Sequence, residues 1–353
     1  MLSGSPWWRR DIHADRRPRL LARQAMAMRL RAHFCAQDFI EVDTSALQIS
    51  PGNETHLHAF ATHWDGIAGA TQPLYLHTSP EFACKKILAA GERRIFSFAH
   101  VMRNRELGPL HQPEFTMLEW YRVEADIAAL MADCTAILRE CAACTGVRLV
   151  NYRQRICDPR AEPVHLTVGD AFLRHAGINL LSTIAMDGTT DRDKLAAATT
   201  SLGLRVAADD TWSDLFSRIL ADRIEPKLGI GQPTFLTEYP LPEAALARPL
   251  PRDSRLAERF ELYMCGVELA NAFGELTDPG EQRRRFIADM AEKQRIYGHT
   301  YPLDEDFLAA LAHMPAASGA ALGFDRLVML MTGANRLDEV MWTPFSDPGR
   351  DGR

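Results

Sequence analysis

The sequence predicts an α+β fold, a mostly antiparallel sheet flanked by helices. Three observations carry that expectation. Ile95 to Met102 and Phe115 to Arg122 are apolar, β-rich runs, separated by turn-forming residues between Asn104 and Pro113. Residues 260–276, FELYMCGVELANAFGEL, read as a second hairpin that turns at Cys265-Gly266 and sets Met264 opposite Val267. Helical patterns lie before, between and after these strands. At 353 residues, with 46% hydrophobic and 24% charged residues, the chain easily buries a core.

The elements follow in chain order. Residues 1–31 hold eight arginines against Asp11 and Asp15. A flexible, arginine-rich terminus over 1–19 and a solvated helix face account for them, and a dock for an acidic partner is the sharper alternative. Leu20 to Phe34 reads as a helix that runs into a short strand within Asp38 to Val42. Ser79-Pro80-Glu81 opens a second helix, to about Ala90: serine caps, proline suits the first turn and glutamate meets the dipole. Asp126 to Thr145 is a long helix, and helical patches lie at 167–176, 191–202 and 211–225. Gln232 to Tyr239 is a core strand, Pro279 to Tyr297 a charged helix, and Gly323 to Leu330 an apolar helix opening. The tail, 343–353, is expected to be disordered.

Composition excludes several classes. A net charge of −6 argues against a general nucleic-acid binder. No apolar run reads as a signal peptide or a membrane span. Seven cysteines without framework spacing suit the reduced thiols of a cytoplasm. Cys141 and Cys144 share a helical stripe with Cys134, which favours core packing over zinc. His56, His58 and His63 lack neighbouring acids or cysteines to complete a metal shell. Gly229-Ile-Gly231 lacks a dinucleotide-loop context, and neither a P-loop nor a GxSxG elbow occurs.

Three stretches carry chemistry. Within RNRELGPLHQPEFTMLEWY, an extended strand turns Phe115, Glu119 and Tyr121 to one face, with Arg103 at the loop mouth. A planar base, an ammonium group and a phosphate would each find a partner there. In the second hairpin Glu261 and Glu268 look the same way, a natural Mg²⁺-nucleotide pair. Asn271, Phe273 and Glu275 have the other parity, so a bulge near Leu269 is needed to bring them to the same ligand. Surface glutamates on a half-exposed strand are the plain alternative. In SGAALGFDRLVML, small residues admit close backbone approach and Arg326 could clamp a terminal phosphate; a packing contact beside a surface arginine is the other reading.

In this order the stretches resemble the catalytic domain of class II aminoacyl-tRNA synthetases of the lysyl type, over residues 20–342. DFIEVDTS is similar to motif 1, RNRE with HQPEFTMLEWY to motif 2, and ALGFDR to motif 3. TSPE, RFELY and GVELANAFGELTD resemble most closely the elongation factor P–lysine ligases within that superfamily. Motif 1 begins within the first 40 residues. That leaves no room ahead of it for an anticodon-binding barrel, which needs on the order of 100 residues. Together with the pI of 6.1, this speaks against tRNA as a partner.

The resemblance implies a cytoplasmic, AMP-producing ligase that takes lysine or β-lysine, ATP and Mg²⁺, has elongation factor P as acceptor, and forms a homodimer through motif 1. It implies that Arg103 holds the α-phosphate and the amino acid's carboxylate, and that Arg326 meets the γ-phosphate. Asn104, Arg105 and Gln112 would lie in the ATP loop, Phe115 would stack on adenine, and Leu269 and Gly323 would border the nucleotide. Glu261 and Glu268 would bind Mg²⁺. Ser79, Pro80 and Glu81 would line the amino-acid site, with Glu119, Tyr121, Asn271 and Glu275 around its ammonium groups.

Three departures stand out. Motif 1 ends Thr44-Ser45 where the family has Thr-Pro. Arg105 takes a glutamate's place, so Glu106 must substitute through a shifted loop or ATP selection weakens. Ala321 replaces a glycine of the tRNA synthetases, as in the ligases, which suits β-lysine. Other readings are a minimal tRNA charger, another amino-acid ligase, or a non-catalytic regulatory paralogue.

Overall fold

A nine-stranded sheet forms the centre of the computed structural model, which describes residues 7–67 and 69–345. The chain opens with α1 (Arg10–Cys35) and β1 (Ile40–Glu41). A small sheet follows, made of β2 (Leu47–Gln48), β3 (Ala61–Asp65) and β4 (Thr71–Leu76). Next come α2 (Glu81–Ala89), β5 (Arg94–Met102), β6 (Glu114–Val123) and α3 (Ile127–Thr145). A short ribbon of β7 (Val150–Tyr152) and β8 (Arg155–Cys157) leads to β9 (Val164–Thr167). A helical insertion holds α4 (Val168–Ala176), α5 (Arg192–Ser201) and α6 (Trp212–Ile219). The chain returns through β10 (Thr234–Pro240), β11 (Pro249–Leu250), β12 (Asp253–Met264) and β13 (Val267–Gly274). It ends on α7 (Pro279–Tyr297), α8 (Glu305–Leu311), β14 (Ala317–Gly323) and α9 (Phe324–Met331).

Strand order is β1-β5-β6-β14-β13-β12-β10-β9, with β11 beside β12. The β1–β5 and β9–β10 pairs are parallel and the pairs between them antiparallel, the α+β arrangement expected. One face packs on α1, α3 and α9 through Phe34, Trp120, Ile137, Leu262 and Leu327. On α2 and α8, Phe82 stacks on Phe307 at 4.0 Å between ring centroids. The insertion has its own core around Phe172, Trp212 and Phe216.

Three local expectations need correction or refinement. The first helix begins at Arg10, not Leu20, so residues 10–19 are helical rather than a flexible terminus. Its arginines are used inside the molecule: buried Arg16 donates to the Met341 carbonyl, Arg19 pairs with Glu339 and Arg23 with Asp325. Arg29 and Arg31, both exposed, pair with Glu140 and Glu41. Cys134 and Cys141 are buried as expected, but Cys144 is exposed, and all seven cysteines are free thiols. The expected disordered tail lies, from residue 346, outside the described residues.

The second hairpin turns as predicted. Cys265 and Gly266 have φ of +55° and +72°, the mirror-image turn that matches strand twist, and Met264 pairs with Val267. Between Tyr263 opposite Glu268 and Leu262 opposite Ala270 the register slips by one, leaving Leu269 as the extra residue of a bulge.

Candidate active site

Register builds the site. Across β5, β6, β14, β13 and β12 the partners Ser97, Glu119, Ala321, Asn271 and Glu261 form one row, and Ile95, Tyr121, Gly319, Phe273 and Arg259 form the next but one. Side chains two apart share a face, so both rows open on the same side of the sheet. The bulge at Leu269 makes this possible, because it moves Asn271 and Phe273 onto the parity of Glu268. Over this face lies a cavity of about 250 Å³. Among its lining residues are Arg103, Phe115, Glu119, Glu268, Glu275 and Arg326.

At one end are acids. Glu119, 1% exposed, accepts from Ser79 Oγ at 2.5 Å and from the Tyr121 hydroxyl at 2.8 Å. Burial first, and then the Glu81 charge, push its carboxyl up to about 8. Lys85, one turn after Glu81 on α2, lies 2.5 Å from Glu81 Oε1 and 2.6 Å from Glu275 Oε2. Gly319 is required beside them, because a Cβ there would collide with the Tyr121 ring and Glu275 Oε1.

At the other end are cations. Arg103 lies over the Phe115 ring, 5.3 Å from its centroid, and donates to the Thr78 carbonyl. Arg326 is held by the carbonyls of Leu110 and Glu268, with Glu268 Oε2 at 3.3 Å and His111 Nε2 at 3.0 Å. Burial, and then Arg326, lower the His111 pKa, which keeps the ring neutral and able to accept from the guanidinium. The neighbouring Asp325 carboxylate, buried at the head of α9, accepts from the Thr116 amide at 2.7 Å. Gln112 is buried and its Oε1 has no hydrogen-bond partner among the described residues. Ser79, Glu81, Tyr121, Leu269, Asn271, Ala321 and Gly323 also line the cavity.

Four sequence candidates stand outside it. Pro80 precedes α2 and so sets the positions of Ser79 and Glu81. Asn104 accepts the Arg105 amide at 2.8 Å, while its own amide donates to the His58 carbonyl. Arg105 has φ +67° and turns away, its guanidinium 5.7 Å from the Tyr297 centroid, whereas Glu106 faces the cavity. Glu261 sits behind Glu268, holding the hydroxyls of Tyr239 at 2.5 Å and Tyr263 at 2.6 Å and Arg259 at 2.6 Å.

Mg²⁺ needs only one or two carboxylates beside phosphate oxygens, and Glu268, which lines the cavity, would supply one. Sequence reading missed Lys85, Gly319, His111, Tyr239 and Tyr263. Lys85 had a local signal, its spacing of four from Glu81 on a helix already expected.

The model of the tRNA synthetases class II (D, K and N) matches residues 11–346. The chain belongs to this family. Among the relatives of this class II synthetase, an elongation factor P–(R)-β-lysine ligase of Sodalis glossinidius is 39% identical over 91% of this chain and 93% of its own. Proteins of the same name from Edwardsiella ictaluri and Vibrio cholerae are 38% and 36% identical, covering 91% and 92% of this chain and 93% and 95% of their own. Motifs 2 and 3, far apart in sequence, meet with the second hairpin on one cavity that Arg103 and Arg326 line together with Glu81, Glu119 and Glu275.

Proposed function

We propose that this protein activates (R)-β-lysine, or lysine, with ATP and transfers it to a lysine side chain of elongation factor P. The observation that supports this is the polarity of the cavity: Arg103 and Arg326 at one end, Glu81, Glu119 and Glu275 at the other. Such a site suits a substrate that carries a carboxylate at one end and ammonium groups at the other. A buried ammonium demands carboxylate partners, because its desolvation is otherwise uncompensated. Ala321, between Glu119 and Asn271 in register, narrows the floor by a methyl and favours β-lysine, the substrate named for the relatives.

In the first step a carboxylate oxygen of the amino acid attacks the α-phosphorus of ATP and pyrophosphate leaves. In the second, an acceptor lysine amine attacks the acyl carbon, AMP leaves and the amine loses a proton. Arg103 orients carboxylate and α-phosphate and offsets the developing charge, and Arg326 does so at the terminal phosphate. Phe115 and Glu106 serve the adenosine end. Glu268, backed by Glu261, would hold Mg²⁺, whose chemistry there is neutralisation of phosphate charge. No side chain need act as nucleophile.

The test is amino-acid-dependent ATP–pyrophosphate exchange with β-lysine, α-lysine and neutral amino acids, followed by labelling of elongation factor P. Stimulation by β-lysine and an acyl label on elongation factor P are expected. Absence of exchange with every amino acid would overturn the proposal.

A further inference from the structure

We infer that Lys85 is a specificity-determining positioning residue, a built-in ammonium that fixes Glu81 and Glu275 from behind and leaves a charge deficit that only a substrate with two amino groups fills. The inference rests on the proposed amino-acid activation and names the substrate class that the same cavity selects.

Lys85 is 1% exposed and does not line the cavity, while both its carboxylate partners do. Its ammonium therefore takes the rear of Glu81 and of Glu275. Glu275 Oε1, on a side chain 1% exposed, has no hydrogen-bond partner among the described residues, and the missing Cβ of Gly319 leaves room beside it. A lone buried acceptor of this kind is a place for a donor that arrives with the ligand.

Charge counting gives the selectivity. Three carboxylates, Glu81, Glu119 and Glu275, face one lysine ammonium, and the neighbouring Glu54 is answered by Arg103, so the three, when fully ionised, lack two positive charges. A substrate with a single amino group would leave one of these acids holding its proton, so it gains one ammonium–carboxylate contact fewer than a diamino acid. Without Lys85 the deficit would be three, more than a diamino acid supplies, and the acids would hold protons instead.

Other ionisable groups around the cluster are Tyr121 on β6, Cys84 on α2, Arg248 ahead of β11 and Glu54 on the loop before β3. Burial raises Glu275 to about 7, and Lys85 is the largest influence opposing that rise. Burial opposes the Lys85 charge as well, but Glu275 and Glu81 outweigh it and push its pKa up.

The experiment is diamino-acid-dependent ATP–pyrophosphate exchange from pH 6 to 9 on wild type, Lys85→Met and Lys85→Gln. Because binding needs the acids ionised, kcat/KM rises with pH through their titration. Both variants should raise the KM for the diamino acid by roughly ten-fold or more at pH 7 and move that acid limb up by about one pH unit. The KM for ATP should stay within about two-fold, since Lys85 lies at the acid end. Lys85→Gln keeps a donor of similar length without the charge, so it decides the matter should Lys85→Met fail to fold. Wild-type KM and an unmoved limb in a folded variant would overturn the inference, and so would an equal rise in both KM values at every pH. An inactive wild type would instead overturn the proposed function on which the inference rests.

Discussion

Arg105 has a φ of +67°, in the left-handed region that an unbranched side chain enters only when neighbours hold it there. The holders are visible: its amide is bonded to Asn104 Oδ1, and its guanidinium lies against Tyr297 on α7. The kink sends Arg105 outward and Glu106 into the cavity. We therefore expect Glu106→Ala to raise the KM for ATP by roughly ten-fold, an effect on the order of 1.4 kcal/mol, with Arg105→Ala changing it much less. Exchange kinetics at saturating amino acid decide, and a larger effect from Arg105→Ala would sink the assignment. Glu119 yields a second residue-scale expectation. Its folded pKa of about 8 lies above the ordinary 4.5, so between these values the folded protein binds more protons than the unfolded chain. Stability contributed this way is complete below the unfolded pKa and is lost as pH rises through the folded one. The ligand-free protein should lose thermal stability from pH 5 to 8, and Glu119→Gln should flatten the decline above pH 7. An unchanged pH profile in Glu119→Gln would refute that, since Glu225 and Glu275, each at about 7, share the decline only below that pH.

At the scale of elements, α1 shows where sequence reading stops. The alternation of β5 and β6 and the turn at Cys265-Gly266 are local signals, so strands and hairpin were legible, and the parity of Glu268 against Asn271 even required the bulge found at Leu269. The arginines of α1 are different. They read as a solvated face because their partners Asp325, Glu339 and the Met341 carbonyl lie some three hundred residues later. Lys85 and Gly319 escaped for the same reason: β13 and β14 bring Glu275 to them only through sheet register. The Arg23–Asp325 pair ties α1 to the head of α9, and thus to the turn that aims Arg326. Removing one member of a buried pair costs about 3–5 kcal/mol, so Arg23→Ala should lower the denaturation midpoint markedly. Urea unfolding followed by circular dichroism measures this, and a loss under about 1 kcal/mol would show the pair to behave like an exposed one.

At the scale of the whole molecule, the segment running from motif 1 into β2 exposes apolar side chains. Ile40 lies on β1 at the edge where β1 pairs with β5, and Leu47 and Ile49 lie on and just after β2; each is 52% exposed. Scattered apolar residues need no explanation, but a cluster marks an interaction site. We propose that a second copy covers it. The edge matters for the site because β5 leads directly into Arg103, so a contact on β1 is one strand away from the loop that carries Arg103 and Glu106. Light scattering at micromolar concentration should give twice the 39.5 kDa chain mass, and Ile49→Asp should halve it by burying a charge in the contact. If pairing also steadies the loop, the Ile49→Asp protein should keep its fold yet lose exchange activity in proportion to the dimer lost, regaining it as protein concentration rises. A monomeric wild type with full exchange activity would dispose of both the contact and its coupling to the site.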